Sequence, residues 1–124
     1  MTGLIDFFRR RFKRQPMPEA LWRVDFDDTG ITVTHPRADR QTVQWDRLTK
    51  VAIRTTDEGP WNTDLFWALH ENGSEAPSVV IPGGATGEGQ LITALQERLP
   101  GLSSEQIVNA MRSTSNAYFV IWAI

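Results

Sequence analysis

His35 and His70 are the only two histidines in the chain, and both fall at the ends of β-rich runs beside turn signals. General acid-base chemistry needs such a group held against an activated partner, and no spacing in the sequence supplies one. Cysteine is absent, which removes thiolate nucleophiles, thiolate metal sites and disulfides. No serine stands in a nucleophile-elbow motif. The stretch Pro82-Gly83-Gly84-Ala85-Thr86-Gly87-Glu88-Gly89 could aim backbone N–H groups at an anion. It lacks the Lys-Ser/Thr ending of a phosphate loop, however, and places Glu88 where an anion would be repelled, so it reads as a strand-to-helix connection. The chemistry therefore points away from an enzyme, with no cofactor and no metal expected.

Two clusters are better suited to binding. The first is Phe7, Phe8, Arg9, Arg10, Arg11, Phe12, Lys13 and Arg14. Leu4, Ile5, Phe8 and Phe12 share one helical face, with Phe7 near its edge and the arginines mostly elsewhere, as in a short amphipathic helix over residues 2–14. Such phenylalanines could enter a headgroup region while the basic residues meet anionic lipid. The same stripe could instead dock on the domain's own sheet. The second cluster is the loop holding Asp57, Glu58, Trp61 and Asp64, where an exposed tryptophan would anchor a partner. The acids could also meet a hard cation, although their spacing is not that of a calcium loop. The structural alternative folds Trp61 over the open end of the sheet, with the acids capping turns.

Charge separates the N-terminus from the rest. Of 13 Lys and Arg and 15 Asp and Glu, residues 1–18 hold five basic side chains against Asp6 alone, and residues 19–124 carry a net charge of −6. Gln15-Pro16-Met17-Pro18 breaks any helix between the two parts. The expected organisation is a basic appendage and linker over 1–18 and one domain over 19–124. The acidic body disfavours nucleic acid as a partner.

The elements that must position these clusters follow from periodicity. At 124 residues, with 40% hydrophobic and 23% charged side chains, one globular domain is the expectation. Strands are predicted over 21–26, 31–34, 41–45, 48–56, 64–70 and 78–81, with a polar turn over 37–40 and a turn at Glu71-Asn72-Gly73. In the fourth, Val51, Ile53 and Thr55 form a dry side, and Lys50, Ala52 and Arg54 a wet one. Leu91, Ile92, Leu95 and Leu99 recur at helical spacing, and Ser103 with Gln106 opens a second helix as a capping box. The closing run Ala117-Tyr118-Phe119-Val120-Ile121-Trp122-Ala123-Ile124 has no polar alternation and reads as a strand covered on both faces, between sheet and helices or at an oligomer contact. It is too short to span a bilayer, and the N-terminus lacks a secretory pattern, so the expected location is cytoplasmic. Most of the five tryptophans are expected in the core.

Gly30-Ile31-Thr32-Val33-Thr34, then Val43-Gln44-Trp45 and Leu48-Thr49-Lys50-Val51-Ala52-Ile53, resemble the opening strands of bacterial pleckstrin-homology-like domains. That resemblance covers roughly residues 20–70 and implies a strongly bent antiparallel sheet in a family of lipid, peptide and protein binders. Thr55-Thr56-Asp57-Glu58-Gly59-Pro60 with Asp64-Leu65-Phe66-Trp67 also resembles small uncharacterised bacterial proteins, which implies a shared fold and no activity. The expected fold is α+β: a bent antiparallel sheet of six to seven strands, two C-terminal helices and a final buried strand. The expected function is a noncatalytic binding or adaptor module, peripheral to the inner membrane face through its basic appendage. The alternative is a small acidic inhibitor or immunity-type protein that binds a basic protein partner.

Overall fold

The computed structural model describes residues 21–57 and 65–124. Among them, seven strands and two helices run in the order β1 (Arg23–Phe26), β2 (Gly30–His35), β3 (Ala38–Gln44), β4 (Leu48–Thr55), β5 (Leu65–Glu71), β6 (Val79–Pro82), α1 (Glu88–Arg98), α2 (Ser104–Arg112) and β7 (Ala117–Ala123). The strands form two antiparallel sheets, β1-β2-β3 and β6-β5-β4-β7, giving the expected α+β fold.

Turn chemistry sets the first sheet. The Asp27 carboxylate accepts from the N–H groups of Thr29 and Gly30 at 2.8 and 3.0 Å, a local turn that reverses the chain between β1 and β2. Gly30 is required there because a Cβ would collide with the Val43 carbonyl oxygen of β3. The next reversal is tighter than the polar segment 37–40 suggests: Pro36 and Arg37 turn alone, the Arg37 N–H donates to His35 Nδ1 at 3.0 Å, and β3 starts at Ala38. Asp39 and Arg40 look loop-like because that part of β3 is exposed. Trp45 leaves the strand and opens a 3₁₀ turn (Trp45–Arg47), where its indole donates to the Asp27 carbonyl at 2.8 Å.

The second sheet carries the larger share of the core. Its register places Ile81, Trp67, Ile53 and Phe119 in one row across the four strands and Val79, Leu69, Val51 and Trp122 in the next, all on one face. This inner face meets Val24, Ile31, Val33 and Val43 of the first sheet and Leu91 and Leu95 of α1 in one continuous buried cluster. Trp22 and Trp67 are fully buried, and Trp45 and Trp122 are half-buried. Asn72 and Gly73, both at positive φ, close the turn after β5 with a Ser74 N–H to Glu71 carbonyl bond of 3.0 Å.

α1 starts without a side-chain cap, from Gly87 at φ +94°. α2 starts as its sequence suggests, with the Ser103 hydroxyl accepting from the Gln106 N–H at 3.1 Å. The reciprocal half of the capping box is replaced: the Ser103 N–H donates to the Ile121 carbonyl at 2.8 Å, which ties the helix start to β7.

Two expectations about faces are corrected. β7 is an edge strand paired only with β4, and Ile121 alone is fully buried. Tyr118 and Val120 stay 38% and 39% exposed, and among the described residues no strand pairs beyond β7. The wet side of β4 is not wet: Ala52 is fully buried, and Lys50 and Arg54 are half-buried.

Candidate binding face

Of the residues singled out for binding, Phe7, Phe8, Arg9, Arg10, Arg11, Phe12, Lys13 and Arg14 lie outside the described residues, as do Glu58, Trp61 and Asp64. Asp57 is described and exposed, two positions beyond β4. The sheet whose strands β4 and β5 flank residues 58–64 has an outer face of its own.

That face is the outer side of β6-β5-β4-β7. Register puts Val80, Ala68, Ala52 and Val120 in one row and Pro82, Phe66, Arg54 and Tyr118 in the row beside it, with His70, Lys50 and Ala123 following. These rows contain two cations and no carboxylate. Phe66, Ala68 and Val80 are at most 5% exposed. Hydrogen bonds between the helical segment and this sheet lie at the inner face: the Trp67 indole donates to Glu88, the Trp122 indole donates to the Pro100 carbonyl, and the Thr55 and Ser113 hydroxyls pair.

His70 is the one titratable group buried in this face. Its Nδ1 lies 3.0 Å from the Ser74 carbonyl, which can only accept, so Nδ1 carries the proton. Nε2 then accepts from the Tyr118 hydroxyl at 3.0 Å. Burial holds His70 below the usual histidine range, and Lys50 adds to that, against the opposing pull of the Ser74 carbonyl. The Lys50 ammonium sits 5.7 Å from the centre of the Tyr118 ring, so cation, phenol and imidazole form a connected group. Beside it, a shallow depression of about 290 Å³ is lined by Thr49, Lys50, Gly73, Ser74, Glu75, Ala123 and Ile124. The Tyr118 partner, 48 residues away in sequence, has no local signal.

The glycine-rich connection is closed by the protein's own carboxylate. Glu88 Oε1 accepts from the Gly84 N–H at 3.0 Å, and Oε2 accepts from the Trp67 indole at 2.7 Å. The acid that disfavoured a phosphate loop in the sequence thus occupies the position an incoming anion would need. Among the described residues no group of three or more His, Asp or Glu could hold a metal, and no helix is long and apolar enough to cross a membrane.

No protein-family model, curated protein or solved structure matches this chain.

Proposed function

We propose that the protein is a noncatalytic binding or adaptor module of the cytoplasm that attaches to anionic membrane surfaces through Phe7, Phe8, Arg9, Arg10, Arg11, Phe12, Lys13 and Arg14. One observation supports this reading: the outer sheet face carries the half-buried Lys50 and Arg54 beside the exposed Tyr118 and Val120 without a carboxylate, a combination of charge sign and apolar character that the sequence of the appendage shares. The arrangement of two antiparallel sheets is compatible with a pleckstrin-homology-like binder. The acidic-inhibitor alternative draws less support, because acids of the first sheet are engaged internally: Asp25 with Arg23, Asp28 with Arg98, and Asp27 with its own turn.

Each basic residue near an anionic surface contributes about 1 kcal/mol. Replacing Arg9, Arg10 and Arg11 together by Ala in the full chain should therefore weaken partitioning onto phosphatidylserine-containing vesicles by on the order of a hundredfold. Co-sedimentation that is equal for both proteins, or equal on neutral and anionic vesicles, rejects the membrane reading.

A further inference from the structure

We propose that the edge of β7 at Tyr118 and Val120 is a docking site for an extended acidic segment of a protein partner, which joins the β6-β5-β4-β7 sheet as a further strand. Such docking needs no membrane attachment.

The ladder between β4 and β7 decides which backbone groups are free. The Ile124 N–H donates to the Thr49 carbonyl at 3.1 Å, which fixes the phase of that ladder. Hydrogen-bonded and non-hydrogen-bonded pairs alternate along antiparallel strands, so Val51 and Trp122 form the next hydrogen-bonded pair. Ile121 is the extra residue of a β-bulge where the register shifts between Val51 and Ala52. Its carbonyl turns outward and accepts from the Ser103 N–H at 2.8 Å. Past the bulge, Val120 opposite Ala52 and Tyr118 opposite Arg54 are therefore non-hydrogen-bonded pairs. Their own N–H and C=O groups point away from β4, and among the described residues no strand lies there to meet them.

This part of the edge also lacks the usual protection. Edge strands are kept from pairing by charged residues, proline or a covering segment. The stretch Ala117-Tyr118-Phe119-Val120 has neither charge nor proline, and the tie from Ser103 reaches only Ile121. Residues of an antiparallel segment opposite Tyr118 and Val120 would each exchange both backbone hydrogen bonds with them.

Charge selects the occupant. Residues hydrogen-bonded to Tyr118 and Val120 would raise their side chains on the outer face of the sheet, where Arg54 stands directly across from Tyr118 and Lys50 lies further along β4. Among the described residues neither cation has a carboxylate partner, and Arg54 Nε has no hydrogen-bond partner. An added strand would run two strand spacings, about 10 Å, from β4. That span is within the combined reach of an arginine and a glutamate side chain, so carboxylates at alternate positions supply what the face lacks. A second copy of β7 brings no such charge. Paired antiparallel about Phe119, it would also press its own tie between Ser103 and Ile121 against Ala117.

The probe is a fluorescent octapeptide of alternating Glu and Val, blocked at both ends, titrated into the full chain and read by polarisation. Saturable binding is expected, and the peptide with Gln for Glu should bind about tenfold more weakly. Val120→Pro removes an N–H that the β4 ladder does not use, and should also weaken binding about tenfold or more. If that variant fails to fold, the unmodified chain gives the same reading with N-methylated peptides. Methylation at the Glu residues, whose amides face β7, should abolish binding, whereas methylation at the Val residues should preserve it. Absence of saturable binding, or equal binding of the Glu and Gln peptides, overturns the proposal. So does binding indifferent to both Val120→Pro and N-methylation, the result expected if the basic residues 9–14 hold the peptide by charge alone. A dimer of the free chain that Val120→Pro dissociates assigns the edge to a second copy and likewise overturns it. Vesicle co-sedimentation fails or succeeds independently of all these readings.

Discussion

The Tyr118 hydroxyl on β7 donates to Nε2 of His70 on β5 at 3.0 Å, reaching across the intervening β4. With Nδ1 donating to the Ser74 carbonyl, both ring nitrogens are committed and the neutral imidazole is the form the fold accommodates. Protonation would force the phenol to give up its donor role in the presence of Lys50.

This fixes a pH dependence. The folded pKa of His70 lies below the ordinary 6.5, so over the interval between the two values the unfolded chain binds more protons. The contribution of His70 to stability is therefore fully present above about pH 6.5 and is lost as pH falls through the folded value. Urea unfolding of the native chain and of His70→Gln between these limits should show a steeper acid loss in the native chain. Parallel curves would contradict the assignment.

Glu88 links the core to the start of α1 through two charge-assisted hydrogen bonds, from the Trp67 indole and the Gly84 N–H. Glu88→Ala leaves the indole nitrogen of a fully buried tryptophan without its acceptor, at a cost of about 2–3 kcal/mol. Glu88→Gln keeps an acceptor oxygen and should recover about half of that. Chemical denaturation of the two variants measures the difference.

Two nearby glycines should respond in opposite directions. Gly87 has φ +94°, and a Cβ there would strike the Val24 carbonyl oxygen, so Gly87→Ala should destabilise by about 2 kcal/mol or more. Gly89 lies in the first turn of α1 with open space around it, and Gly89→Ala should stabilise by up to about 1 kcal/mol. Thermal melts of the pair separate backbone requirement from helix propensity.

Features encoded locally were legible in the sequence. Ser103 with Gln106, Asn72 with Gly73, and the alternation around Val51 and Ile53 placed the second helix, a turn and the longest strand, because each depends on neighbours a few residues away. Trp45 looked like a strand residue because its alternation with Val43 continues, while its indole partner, the Asp27 carbonyl, is 18 residues distant. Ala52 looked solvent-facing between Lys50 and Arg54, since nothing local encodes the Tyr118 that crosses the sheet. The run from Ala117 to Ile124 looked doubly covered because an edge strand with Phe119 and Trp122 inside and Tyr118 and Val120 outside carries the same residue types as a central one. The outer face was illegible for the same reason: its rows are assembled from β4, β5, β6 and β7, and register alone brings Phe66, Ala68 and Val80 together.

If residues 7–14 carry membrane attachment, the phenylalanines must contribute beside the basic residues. The affinity of the full chain for phosphatidylserine-containing vesicles should be compared with that of the Phe8→Ala, Phe12→Ala double variant, which leaves the charge unchanged. Loss of the two aromatic side chains should weaken vesicle binding by about tenfold or more, since burying each contributes roughly 1.5–3 kcal/mol. Unchanged or stronger vesicle binding by the double variant would contradict it.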